Sequence, residues 1–366
     1  MGRRSRSTMP MYTSISANMK TADFDYHLPT EQIAQKPIEP RDHTRLMVLE
    51  RAEKTREHKQ FYDIVDYFRK GDVLVWNNSK VFKARLRGKL YSVEGDELFD
   101  HQKEIELFLV REMPNQGVWK VLVRPGKHVS NGMRVVIAHN FYCDVMLKED
   151  DGTVLVQFPC PVERVIEKAN MYGAVPLPPY VKDEKHELEA YQNIYADDSK
   201  EGSVAAPTAG FHFTDEIVEK LKAKGVEFHE VTLHVGLWTF LPVKSERIED
   251  HVMHSEWVEI PEETSNAIHK AKTDGRRVIA VGTTTVRTLE GVAATIGKQV
   301  HPFAGDINLF ITPGFEFQVV DALITNFHLP KSTLLMLVSA FVGNTEFVLE
   351  SYKEAVEEGY RFFSFG

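Results

Sequence analysis

Along residues 61–70 (FYDIVDYFRK) the apolar positions Phe61, Ile64, Val65 and Phe68 recur at helical spacing and share one face. Gly71 supplies a stop for that helix, and the run VLVW at 73–76 reads as a buried strand. The texture then changes. Between about 80 and 160 the pattern is short and strand-like, with candidate strands at 82–91, 104–111, 118–124, 134–147 and 153–158. Turn signals separate them: Pro114-Asn115, Pro125-Gly126, Asn131-Gly132 and Asp151-Gly152. Strands at this spacing predict a small antiparallel barrel.

From about 165 onward helices and strands alternate. Thr214 caps a helix that opens with Asp215 and Glu216, acids suited to the positive end of its dipole, and that ends at Gly225. A strand follows at 231–235. The next helix spans 261–274, with Pro261 at its start and Gly275 as its C-terminal cap. A buried strand at 277–281 runs through Gly282 into a helix at 286–296. Another strand covers 322–325, Ser332 opens an apolar helix, and a last helix covers 345–358. Such alternation predicts a sheet covered by helices. The expected fold class is α/β, with a main α/β sheet domain at 19–78 and 165–366 and an inserted small antiparallel β-barrel domain at 79–164. Residues 1–18 are polar and Ser/Thr-rich, with Arg3, Arg4 and Arg6, and are expected to form a disordered extension.

The bulk numbers narrow the function. A chain of 366 residues suggests about two domains. Lys and Arg number 44 against 53 Asp and Glu, a net charge of −9, so an RNA partner requires a local basic patch. The two cysteines, Cys143 and Cys160, form no CxxC pair, which argues against a zinc ribbon or disulfide framework and fits a reducing compartment. The apolar run 334–342 is too short to span a bilayer, and no apolar stretch follows the first arginines as in a secretory signal. The chain is therefore expected to have no membrane partner.

No GxGxxG follows a strand, and neither HExxH nor a nucleophile-elbow serine occurs. The segment GVAATIGKQ at 291–299 fails as a P-loop, because its glycine spacing is one too long and Gln299 replaces Ser or Thr. Dense polar segments remain at strand ends, where α/β proteins build sites. The first, GSVAAPTAGFHFT at 202–214, is a loop of small residues bearing His212. A packed loop with a core-facing histidine is the commoner fate of such a residue, and the small residues reduce that preference. In TLHVGLWTFLP at 232–242, His234 ends a strand, and Trp238 and Phe240 are candidates to stack on a base or to pack in the core. In HVMHSE at 251–256, His251, His254 and Glu256 suit a metal by type but lack a known ligand spacing, and hydrogen-bonding roles are favoured. In GTTTVRTLE at 282–290, hydroxyls and free amides meet at a helix start, a natural place for an anion, and Thr284 lies there. Arg287 and Glu290 share a helical face, so a salt bridge between them is the structural alternative. In TNFHLPKST at 325–333, His328 and Lys331 stand between a strand and the helix begun by Ser332. Finally, KVFKARLRGK at 80–89 places Lys83, Arg85, Arg87 and Lys89 on one face of a strand, a stripe suited to phosphates or simply a solvated face.

Together these segments, with DFDYHLP at 23–29, GDVLVWNNS at 71–79 and VPLPPY at 175–180, resemble the S-adenosylmethionine:tRNA ribosyltransferase-isomerase family over nearly the whole chain after Lys20. Leu237-Trp238 departs from the small residues usual there. The resemblance implies transfer of the ribosyl part of S-adenosylmethionine onto 7-aminomethyl-7-deazaguanine at the tRNA wobble position. Adenine and methionine leave, and epoxyqueuosine-tRNA forms. It implies no metal and no cofactor, S-adenosylmethionine being a cosubstrate, and a monomer. That chemistry needs a base beside the sulfonium, an acid for adenine and an acceptor for the amine's proton. His212, His234 and His328 are the acid–base candidates, with Glu256 and Glu290 facing the sulfonium or amine. Arg287, Lys331 and Ser332 are candidates for the methionine carboxylate, Thr284 for the same cosubstrate, and Lys83, Arg85, Arg87 and Lys89 for tRNA. Competing readings are an RNA methyltransferase, disfavoured by the missing glycine-rich loop, and a tRNA-binding protein with a degenerate site.

Overall fold

After three short 3₁₀ helices, Thr21–Phe24, Thr30–Gln32 and Arg41–His43, the first strands form an antiparallel hairpin, β1 (Arg45–Glu50) and β2 (Thr55–Gln60). The structure, a computed structural model, describes residues 19–366 apart from 95–96, 151, 179, 183–187, 237–242, 244, 254 and 298. The expected disorder of 1–18 and the choice between base stacking and core packing for Trp238 and Phe240 lie outside the described residues, as does His254.

Residues 61–70 depart from expectation. Phe61, Ile64 and Phe68 are buried as the pattern predicts, but the segment forms a 3₁₀ helix, Phe61–Tyr67, rather than an α-helix, and Phe68 follows it. The chain has no length for more turns. Phe68 is already extended, and Asp72 accepts the Arg69 amide at 2.6 Å and pairs with Arg277, reversing the chain into β3 (Val73–Asn77).

After the short β4 (Lys80–Val81) comes the barrel: β5 (Arg85–Glu94), β6 (Glu97–Glu112), β7 (Val118–Arg124), β8 (Arg134–Ala138), β9 (Phe141–Lys148) and β10 (Val154–Gln157). It closes in the order β10-β7-β6-β5-β8-β9, entirely antiparallel. The expected strand at 134–147 is two strands joined by a turn at 139–140, which supplies the sixth strand. Leu86, Leu90, Ile105, Leu107, Val121 and Phe141 fill the interior. Helix α1 (Val162–Tyr172) packs Val165 and Ala169 into that same core.

The chain then returns through β11 (Glu201–Ser203), which pairs in parallel with β4. Helix α2 (Asp215–Lys224) is capped by the Thr214 hydroxyl, which accepts the Ile217 amide, and ends at Gly225 with φ +88°. Strand β12 (Glu227–Leu233), β13 (Glu256–Ile260), helix α3 (Glu262–Thr273), β14 (Val278–Val281), helix α4 (Thr283–Ile296), β15 (Phe303–Ile307), β16 (Ala322–Ile324), α5 (Thr333–Val342) and α6 (Thr345–Glu357) complete the described elements. The main sheet runs β15-β13-β12-β3-β14-β16. The four strands β12, β3, β14 and β16 are parallel; β13 pairs antiparallel with β12, and β15 pairs antiparallel with β13.

Both faces of the parallel part are covered, so Val73–Trp76 of β3 and all of β14 are continuous apolar runs rather than alternating, while β12 becomes fully buried only from Val231 onward. Val73, Val75, Val231 and Ala280 pack with Val286 and Leu289 of α4 on one face. Leu74, Trp76, Ile279 and Val281 pack with Phe213, Ile217 and Leu221 on the other. Each such buried side chain contributes on the order of 2 kcal/mol of hydrophobic free energy. The fold is thus an α/β sheet domain carrying an inserted barrel. No single helix among the described residues is long and apolar enough to cross a membrane.

Candidate active site

The carboxyl ends of β3, β12, β14 and β16 come out on one side of the sheet, where parallel α/β proteins place their ligands. Asn77 at the end of β3 holds this rim: its amide donates to the Leu233 carbonyl at 3.0 Å, and its oxygen accepts the Leu233 amide at 3.0 Å. The loop before α2 folds over the rim as a 3₁₀ helix, Thr208–His212. A cavity of about 40 Å³ lies beneath, lined by Thr208, Gly282, Thr284, Thr325, Asn326 and His328 among others. A larger chamber of about 720 Å³ lies between the β1–β2 hairpin and the sheet, and His212 is in its wall. The two cavities share Ala209, Thr325, Asn326 and Phe327.

The structure therefore brings His212 and His328 to one region. His212 is buried; its Nδ1 lies 3.0 Å from Thr44 Oγ1 and its Nε2 lies 3.4 Å from Asn326 Nδ2. One tautomer satisfies both contacts. Asn326 donates to Nε2, Nδ1–H donates to Thr44, and the Thr44 hydroxyl donates to the Arg41 carbonyl at 3.2 Å. Thr208 donates in turn to Asn326 Oδ1 at 3.0 Å. His328 lies 3.2 Å from both Thr325 Oγ1 and the Tyr352 hydroxyl. Thr44, Asn326 and Tyr352 are the residues that reading the sequence missed. The polar cluster RDHT at 41–44, set against the apolar β1, was the signal available for Thr44. Asn326 and Tyr352 carried no such signal on their own.

His234 points elsewhere. Its ring stacks on Trp257 at 5.3 Å and lies against Gly202, while its neighbour Val235 lines the small cavity. Glu256 and Arg287, both buried, pair with each other. Arg287 also donates to the Leu309 carbonyl at 3.4 Å. The alternative Arg287–Glu290 salt bridge does not form. Glu290 accepts the backbone amides of Gln318, Val319 and Val320 at 2.9–3.0 Å instead, because the chain leading to β16 presents three donors to it. Burial raises its pKa, and those amides pull it back. Lys331, at φ +58°, pairs with Asp25 at 2.7 Å on the surface, and the Ser332 hydroxyl caps α5 by accepting the Leu335 amide.

The basic stripe is half formed. Phe82, Ala84 and Leu86 turn inward as expected, and Arg87 and Lys89 are exposed. Arg87 and Lys89 stand opposite Glu106 and Glu104 of β6, however, and Arg85 donates to the Leu177 carbonyl. Lys83 precedes the strand. Cross-strand acids offset part of the field that phosphates would feel. Among the described residues no three His, Cys, Asp or Glu side chains cluster as a metal site requires.

Burial holds His212 and His234 down to about 4 and His328 to about 3, against an ordinary 6.5; Arg41 and Gly366 carbonyls partly offset this at His212. All three are neutral near pH 7. The unfolded chain takes up protons there below about pH 6.5, and the folded chain only near 4 or below, so this stability is complete above 6.5 and lost on acidification. Each histidine contributes on the order of 3 kcal/mol. The denaturant midpoint is therefore expected to hold steady from about pH 8 to 7 and to fall from 6.5 to 4.5. A flat midpoint over the acid range would contradict neutral burial.

Comparisons with known proteins place the chain in a family. A family model described as queuosine biosynthesis protein matches residues 21–366. The S-adenosylmethionine:tRNA ribosyltransferase-isomerase of Thermotoga maritima is 49% identical over 348 residues, covering 95% of this chain and 98% of that protein. That of Carboxydothermus hydrogenoformans is 49% identical over 349 residues, with the same coverage. That of a Sulfurihydrogenibium species is 47% identical over 350 residues, again covering 95% and 98%. A crystal structure of an S-adenosylmethionine tRNA ribosyltransferase from Thermotoga maritima is similar with a TM-score of 0.52 and 41% identity, covering 94% of this chain and 98% of that one. Matched at this identity along almost its whole length, the chain belongs to the S-adenosylmethionine:tRNA ribosyltransferase-isomerase family of queuosine biosynthesis enzymes.

Proposed function

We propose that the chain moves the ribosyl part of S-adenosylmethionine onto the aminomethyl nitrogen of 7-aminomethyl-7-deazaguanine at the wobble position of a tRNA. Adenine and methionine leave, and epoxyqueuosine-tRNA is the product. The enzyme works as a cytoplasmic monomer without metal or cofactor.

The observation that carries this reading is the neutral His212 in the wall of a chamber of about 720 Å³. A volume of that size suits one small organic ligand such as S-adenosylmethionine. A proton must leave the carbon beside the sulfonium, and the attacking amine must also lose one. Neutral imidazoles begin in the form able to accept them. His212 takes the base role beside the chamber, with His328 supporting the Thr325 hydroxyl between the cavities. Glu256 and Arg287 fix the start of α4 against β13, and His234 acts outside this pair. Arg87 and Lys89, the exposed half of the stripe, are the proposed tRNA contacts on the barrel.

The test is adenine release, followed by chromatography, with tRNA carrying or lacking the aminomethyl base. Release is expected only with the modified tRNA. Equal release with either tRNA, or none with both, would exclude the reaction.

A further inference from the structure

Helix α4 begins at Gly282, whose φ of +86° and missing side chain set it apart from Thr214, Ser332 and Asn344, which cap α2, α5 and α6. Its first amides point toward the small cavity with no N-cap oxygen to accept them. Beside them the hydroxyls of Thr285 and Thr288 donate back to the carbonyls of Val281 and Thr284. Thr284 differs. Its side chain lines the cavity, the residue is only 7% exposed, and its hydroxyl has no hydrogen-bond partner. A buried hydroxyl left so costs about 1–3 kcal/mol unless a ligand satisfies it. Thr208, Thr325 and His328 complete the polar wall, and among the described residues no lysine or arginine lines the cavity.

We propose that this pocket, formed by the start of α4, the Thr284 hydroxyl and Thr325, binds the carboxylate of the methionyl end of S-adenosylmethionine. The inference rests on the function proposed above. Amides at a helix start together with neutral hydroxyls suit a single negative charge. The cavity, about 40 Å³, has room for a carboxylate head and not for a nucleotide phosphate with its sugar. It adjoins the chamber along Ala209, Thr325, Asn326 and Phe327, so one ligand reaches both. The cationic side chains first expected to hold this carboxylate are engaged elsewhere, Arg287 with Glu256 and Lys331 with Asp25.

The test is calorimetric titration with S-adenosylmethionine and with its decarboxylated analogue. Wild-type protein is expected to prefer S-adenosylmethionine by about tenfold or more. Thr284→Val, close in shape, is expected to lose about tenfold in affinity for S-adenosylmethionine and to bind the analogue as before. Thr284→Ser, which keeps the hydroxyl, is expected to retain the preference, and it serves as the readout should the valine variant unfold. No preference in the wild type, or equal weakening of both ligands by the variant, overturns the proposal. So does weakened tRNA binding with S-adenosylmethionine affinity intact, which assigns the pocket to a phosphate. Wild-type protein that binds no S-adenosylmethionine and releases no adenine overturns the functional reading itself.

Discussion

Replacing His212 with alanine is expected to slow single-turnover adenine release by about 10²-fold or more, the usual worth of a positioned base. The ring is held at both nitrogens, by Thr44 at 3.0 Å and Asn326 at 3.4 Å, and it borders the chamber. Held at about 4, it is unprotonated throughout the neutral range, so it enters the reaction as a base and not as an acid. The rate is therefore expected to show no titration near pH 6.5 and to fall only as the pH drops toward 4. His212 also packs on Phe61 at 5.2 Å, so a loss of rate has a packing component. His212→Gln separates the two, since it keeps bulk and hydrogen bonding while lacking a comparable base. Recovery of a near-normal rate in the glutamine variant would remove His212 from the base role and leave it a structural residue.

Glu256→Gln is expected to destabilise the fold by about 3–5 kcal/mol, because it strips the counter-charge from a buried arginine. Both residues are buried, and the Arg287 Nη2 already has no hydrogen-bond partner. For a chain of this size that loss corresponds to a melting temperature lower by about 5 °C. The double variant Glu256→Leu with Arg287→Met is expected to regain most of the stability, since an apolar pair avoids the desolvation cost of two ions. Calorimetry on the three proteins checks both parts. A shift under about 2 °C in the single variant would mean that the pair carries little stability. Adenine release in the double variant then separates the roles. If it returns with stability, the pair positions α4; if stability returns alone, one of the two charges faces the substrate.

Much of the framework was legible because it rests on local periodicity. The strand at 118–124 falls where alternation places it, and Thr214 and Ser332 cap their helices as their residue types suggest. The barrel was legible from short apolar runs between turn signals, although the turn at 139–140 lacked a strong signal and hid a sixth strand. What local spacing does not encode is partnership. Arg287 and Glu290 share a face three residues apart, yet the arginine pairs with Glu256 on β13, and Glu290 caps three amides before β16. Likewise Lys89 and Arg87 read as a basic stripe until antiparallel pairing of β5 with β6 sets Glu104 and Glu106 across from them. The site follows the same rule. His212 and His328 stood out as histidines in polar loops, but Thr44 and Asn326 gain their place only when chain segments 168 and 114 residues away from His212 fold against it.

The central claim is that the ribosyl group, and not the methyl group, leaves S-adenosylmethionine for the tRNA. Two reactions test it, one with cosubstrate labelled in the ribose and one with cosubstrate labelled in the methyl group, each with tRNA carrying 7-aminomethyl-7-deazaguanine. The ribosyl label is expected to precipitate with the tRNA, and the methyl label to stay in solution as methionine. Methyl label in the tRNA, with the ribose label remaining in a soluble adenosyl product, would contradict the account.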